Sequence, residues 1–200
     1  MKDIRRIKPE EFKTAFLKIV SDQGKRLVDL WNSKKEKGQK ETEYTLYFVG
    51  RNPNPSQDSF LGRVAQELNL HYCKEYWSLD AIFFESKDEK HFPSNSFYVN
   101  NISIALEHEY DAKNAVGEVN KLTIINAPLR VLITYPKEDK INSHLKEYIE
   151  IIRDADVFDD FSTQRKFMVV FGPVEKPQKI DCWKFFIYDN GNFKEIRNSR

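Results

Sequence analysis

The chain has 200 residues and a formal net charge of +1. That length supports one substantial core, and the near-balanced charge argues against gripping nucleic acid through bulk positive charge, although acids clustered at a metal site can offset a basic approach. Apolar residues make up 40% and charged residues 32% of the chain, an ordinary globular composition, and the longest apolar runs, VLITY and FMVVFG, are far shorter than a membrane span.

The amino-terminal MKDIRRIKPEEFK has no apolar signal core, so a cytoplasmic location without membrane contact is expected. Cys73 and Cys182 match no metal-ligand spacing and read as free thiols. His71, His91, His108 and His144 are scattered, and no zinc motif emerges.

Residues 9–33 carry apolar stripes at helical spacing: Phe12, Phe16, Ile19 and Val20, then Leu27, Leu30 and Trp31. Pro9 suits a first helical turn, with Glu10 and Glu11 favourable beside it. A break into two helices is expected at Ser21–Gly24. The run SKKEKGQKETE (33–43) reads as a solvated charged loop, and YTLYFVG (44–50) has strand composition, with a helical extension as the alternative. RNPNPSQ reads as a loop, and Ser59 as the cap of a helix over FLGRVAQELNL.

Two strand-like segments follow, 71–85 and 96–109, separated by the polar SKDEKHFPSN. Asp111 is placed to cap a helix reaching about Asn126. LRVLITYP reads as a strand covered on both faces. Residues 141–155 read as an amphipathic helix with Leu145, Tyr148, Ile149 and Ile152 inward. KFMVVFGPV is a strand, and Asp189–Asn190–Gly191–Asn192 is the turn of a closing hairpin. The order predicts a single α/β domain with a central mixed β-sheet flanked by helices and a C-terminal β-hairpin, residues 1–50 being either part of the core or a helical extension.

Glu107 and Glu109 end the apolar run ISIALEHE. In a strand, Ser103, Ala105, Glu107 and Glu109 share one face, while Ile102, Ile104, Leu106 and His108 share the other. Asp80 interrupts the apolar WSLDAIFF. If the two strands are neighbours, Asp80 and Glu107 converge. Buried carboxylates need a partner, and a hard cation such as Mg²⁺, or Mn²⁺ in its place, is a suitable one for phosphodiester hydrolysis. Lys121 falls on the next helix, with Glu118 one turn before it on the same face. Its ammonium could orient a water or stabilise phosphate charge.

This succession of a helix (59–69), a strand with Asp80, a strand ending Glu107–His108–Glu109, a helix and the strand LRVLITY resembles the core of the PD-(D/E)XK nuclease superfamily, over roughly residues 59–135. The resemblance implies a restriction-endonuclease-like fold and magnesium-dependent cleavage of nucleic acid, DNA more than RNA. It also implies a homodimer as an expectation, since many duplex-cutting members pair two sites. It implies Asp80 and Glu107 as metal ligands, with Leu79–Asp80 standing for the Pro-Asp pair. Glu67 stands where many members carry an extra acid, and Glu67 and Glu118 are the outer-shell candidates. The motif's lysine position is Glu109 here. Either Glu109 acts as a third ligand or water-positioning group, or Lys121 supplies the ammonium from the following helix. The alternative is a nuclease-like fold without catalysis, kept as a nucleic-acid or protein binding module. A glycosidase-type acid pair ranks last.

Each residue also has a plainer role. Asp80 could pair with an arginine or cap a turn. Glu107 and Glu109 could guard an edge strand. Glu118 and Lys121 could be a surface ion pair of small energy, and Glu67 could be simply solvated. His108, on the opposite face, reads as a packed histidine. Trp31, Trp77 and Trp183 read as core rather than as base-stacking platforms.

Overall fold

The computed structural model describes residues 4–32, 37–50, 58–91, 97–156, 161, 164–173 and 175–197. Helix α1 runs unbroken over Pro9–Trp31, so the expected division at Ser21–Gly24 does not occur. The stripe of Phe12, Phe16, Ile19, Val20 and Leu27 is buried along its length, which holds the middle helical. Gly24 meets Gln178 there: a Cβ on the glycine would stand 3.2 Å from the Gln178 Cβ.

Helix α2 covers Lys37–Val49, where the sequence predicts a charged loop and then strand composition. Tyr44, Tyr47 and Phe48 recur at helical spacing and are all buried, and burying three aromatic rings on one stripe outweighs their β propensity. RNPNPSQ lies outside the described residues. Helix α3, Phe60–Glu67, starts as expected at Ser59, whose Oγ accepts the Gly62 N–H at 3.0 Å.

The two strand-like segments each divide. The first forms a hairpin of β1 (His71–Tyr76) and β2 (Leu79–Phe84), turning at Trp77–Ser78. Between them and the second segment lies β3 (Glu89–His91), which pairs antiparallel with β4 (Phe97–Val99) in a separate ribbon. The second segment then supplies β5 (Ile104–Glu109). Helix α4 (Ala115–Ile124), β6 (Leu129–Thr134), helix α5 (Ile141–Ala155), β7 (Lys166–Phe171), β8 (Lys184–Asp189) and β9 (Asn192–Glu195) complete the chain. Asp111 does not cap α4 directly. Its carboxylate accepts the Lys113 N–H at 3.0 Å in a turn ahead of the helix.

The seven-stranded sheet has the order β1-β2-β5-β6-β7-β8-β9. Its three central strands, β5, β6 and β7, are parallel, and the pairings on either side are antiparallel. Every residue of β6 is buried, as its continuous apolar run predicts. Asn190 and Gly191, with φ of 48° and 80°, form the two-residue turn between β8 and β9.

One face of the sheet packs against α1, α2 and α3, and the other against α4 and α5. Phe12 and Phe16 on α1 and Tyr44 and Phe48 on α2 belong to the first core, so the N-terminal helices are built into the sheet's covering layer. Both cysteines are free thiols. Among the described residues, no helix is long and apolar enough to cross a membrane.

Candidate active site

The β2–β5 register pairs Ala81 with Leu106, Ile82 with Ala105 and Phe83 with Ile104. One step further along this antiparallel ladder sets Asp80 across from Glu107, and paired residues share a face. Ala105 and Ile82 on that face lie in the core under α4 and α5, while Leu106 and Ile104 lie in the core under α1–α3. The two carboxyls therefore meet on the α4 side, near the end of a parallel strand, where ligands of α/β sheets commonly bind. β5 is an interior strand, so Glu107 does not guard an edge.

Glu107 is 1% exposed. Its neighbour Asp80 accepts the His108 backbone N–H at 2.8 Å and is also in hydrogen-bonding contact with the Glu107 carboxyl. Helix α4 brings Lys121 over the pair. Its ammonium lies 2.9 Å from Glu107 Oε1, donates to the Ser78 carbonyl at 3.0 Å and also pairs with Glu118. The Glu118–Lys121 pair is thus the outer part of a buried cluster rather than an isolated surface pair. Arg130 on β6 anchors the far end of α4, donating from Nε to the Ile125 carbonyl at 2.9 Å.

Three carboxyls face one ammonium in this cluster. Burial, and then the adjacent Asp80 charge, push the Glu107 carboxyl up to about 9, with Lys121 pulling the other way. Asp80 is raised as well, by burial, partly offset by the His108 N–H and the Glu107 contact. Burial pulls the Lys121 ammonium down, but Glu118 and Glu107 outweigh it and hold its pKa above the ordinary lysine value. Both facing carboxyls are thus shifted toward the protonated form, the usual direction when like charges share a buried site.

Glu109 lies on the same face as Glu107, half-buried, with Oε1 accepting the Asp111 N–H at 2.9 Å. Burial raises its pKa, the Asp111 N–H lowers it, and the Glu118 charge raises it again. Glu67 is turned toward α1, where its carboxylate meets Lys18 Nζ at 2.6 Å. Asp80, Glu107, Glu118 and Lys121 are therefore brought together, Glu109 sits beside them, and Glu67 is committed to a helix–helix contact.

His108 occupies the opposite face, as its alternation predicts. Its ring stacks on Phe48 with centroids 4.7 Å apart, and its Nε2 lies 2.9 Å from the Tyr135 hydroxyl. Burial pushes it down to about 3, so it is a neutral core histidine. Trp183 is buried as expected, but Trp77 is not core: it is 89% exposed in the β1–β2 turn. Neither Trp77 nor Ser78 stands out in the sequence, because a turn made of Trp-Ser lacks the Gly or Asn that marks a two-residue hairpin. The side chain of Trp31 lies outside the described residues.

Among the described residues, no three His, Cys, Asp or Glu side chains are grouped so as to hold a metal ion by themselves. Two carboxyls suffice for magnesium, which keeps several waters and takes further oxygens from phosphate. Asp80, Glu107 and Glu118 meet around the single Lys121 ammonium, so carboxyls outnumber cations at this place. The donor set thus fits a hard cation at Asp80 and Glu107.

No family model matches the chain, and no curated protein matches it. Among solved structures, the central domain of yeast acetyl-CoA carboxylase is similar, at a TM-score of 0.41 and 12% identity over 94% of this chain and 34% of that one. The chain therefore spans about a third of that neighbour's length. A likeness at this level carries no argument about activity.

Proposed function

We propose that the chain is a magnesium-dependent nuclease-like phosphodiesterase acting on nucleic acid, DNA in preference to RNA. The observation that carries this reading is the convergence of Asp80, Glu107 and Lys121 from β2, β5 and α4. Two further features support it. The β1–β2–β5 antiparallel meander followed by α4 and the parallel strand β6 has the order of the nuclease core that the sequence resembles. Lys121 reaches Glu107 from the following helix, which suits the variant in which the lysine has left the strand.

Asp80 and Glu107 would hold the metal ion. Bound there, it would supply a polarised phosphoryl oxygen and a water of lowered pKa. The His108 N–H fixes the Asp80 carboxylate. The Ser78 carbonyl and Glu118 hold the Lys121 ammonium beside Glu107, where it can orient the attacking water or steady phosphate charge. Glu109, turned back to the Asp111 N–H, is a charge beside the site rather than a stand-in for the motif lysine.

The test is cleavage of labelled single-stranded and duplex DNA with Mg²⁺ or Mn²⁺ by the wild type, Asp80→Asn and Glu107→Gln. The expected result is metal-dependent cleavage that falls on the order of 100-fold or more in both variants, with the circular dichroism spectrum unchanged. Cleavage equal to wild type in both would reject the reading. The second reading, a binding module without catalysis, draws on Glu109 occupying the motif lysine position. Nucleic-acid binding without turnover under every metal would favour it.

A further inference from the structure

We infer that Trp77 is a stacking platform for an unpaired base of the strand whose phosphate lies at Asp80, Glu107 and Lys121, so that the substrate is single-stranded or locally unpaired nucleic acid. This rests on the nuclease-like reading of the site and names its substrate class.

An indole that is 89% exposed contributes almost nothing to the core. It is also held at φ +58°, a left-handed conformation that a bulky L side chain rarely adopts and that hairpin turns normally give to Gly or Asn. Folding therefore favours a different residue here on both counts. Such outliers cluster where a side chain has work outside the fold.

The position supplies that work. Trp77 immediately precedes Ser78, whose carbonyl receives the Lys121 ammonium at 3.0 Å. Asp80 follows in the same strand entry. Adjacent Cα atoms are about 3.8 Å apart, so the indole is rooted at the wall of the acid cluster. Tyr76 continues the aromatic surface, with ring centroids 6.4 Å from Trp77 and 6.1 Å from the half-exposed Phe97.

The chemistry favours a base over a protein side chain or a duplex. The indole stands almost fully exposed on a turn and is continued by Tyr76 and the half-exposed Phe97, a short run of rings of the kind on which successive bases stack. A net charge of +1 gives little bulk attraction for a duplex backbone. Base–aromatic stacking is tolerant of sequence and needs a base free of its partner strand.

The experiment measures fluorescence anisotropy of a short labelled DNA, single-stranded or annealed, with wild type, Trp77→Gly and Trp77→Phe in EDTA. The same samples are then assayed for cleavage after adding Mg²⁺. Trp77→Gly suits the left-handed turn and should fold at least as well as wild type, which a melting curve checks. The expected result is tighter binding of the single strand than of the duplex. Trp77→Gly should weaken single-strand binding by on the order of tenfold, leaving duplex binding unchanged, and Trp77→Phe should retain most of it.

A duplex preference, an unchanged Kd in Trp77→Gly, or no binding of either DNA would overturn the platform. Cleavage by wild type in the first two cases would leave the nuclease reading standing. Conversely, Trp77-dependent binding of the single strand with no cleavage would keep the platform and reject hydrolysis.

Discussion

Glu107 puts a carboxyl that is 1% exposed next to Asp80, with one ammonium shared between it and Glu118. Its folded pKa is raised above the unfolded value, so the native state keeps a proton that the unfolded chain releases. The group has no effect on stability below the ordinary value of 4.5, and stability falls as pH rises from there through about 9. For one proton the slope is at most about 1.4 kcal/mol per pH unit. Urea unfolding between about pH 5 and 9 should show this fall, and Glu107→Gln should flatten it. An unchanged slope in the variant would put the proton on another group. Lys121→Ala should lower cleavage by about 10²–10³-fold through loss of a donor at the phosphate. It should also destabilise the fold by leaving Glu107 without its cation, so activity must be read against a melting curve.

At this same scale the sequence was informative where alternation alone decides. Asp80, Glu107 and the placement of His108 on the opposite face follow from period-two geometry, and Lys121 from helical spacing. The contact of Glu67 with Lys18 was not legible, because Lys18 lies on another helix and leaves no local trace. Trp77 was misread as core because composition assigns a tryptophan to the interior, and only the turn between β1 and β2 carries it outside.

Elements whose own pattern matches their environment were legible. β6 reads as a doubly covered strand and is one, α5 has the bounds its spacing predicts, and the Asn-Gly turn closes β8 and β9. α2 was not, because its aromatic residues favour strands in isolation and become helical by burying Tyr44, Tyr47 and Phe48 on one stripe. The connection after β7 shows how tightly that layer is packed. A Cβ on Gly172 would stand 2.3 Å and 2.6 Å from Tyr135 ring atoms and 2.9 Å from Trp183. Tyr135 is also the hydroxyl partner of His108. Gly172→Ala should therefore cost about 1–3 kcal/mol by overpacking, visible as a lowered melting temperature. A wild-type melting temperature would mean that the tyrosine moves aside freely.

Across the whole molecule, α1 ties distant strands together. Phe12 lies against Phe83 of β2, and Phe16 against Phe185 of β8, so one helix spans the sheet from the acid-bearing strands to the C-terminal hairpin. Removing residues 1–32 should uncover that face and abolish cooperative unfolding, with strong binding of a hydrophobic dye. A truncated chain that still unfolds in one sharp transition would show that the helix is an accessory. The placement of the site depends on this frame: β2 and β5 hold the carboxyls, α4 delivers the ammonium, and the α1–α3 layer keeps His108 and its strand in position.

The central claim is that Asp80 and Glu107 together hold one divalent cation. The most direct measurement is calorimetric titration of wild type, Asp80→Asn and Glu107→Gln with Mg²⁺ and Mn²⁺ at neutral pH, in two buffers of different ionisation heat. The expected result is a single site that releases a proton on binding and is lost in both variants. Absence of binding by the wild type, or binding that survives both substitutions, would contradict it.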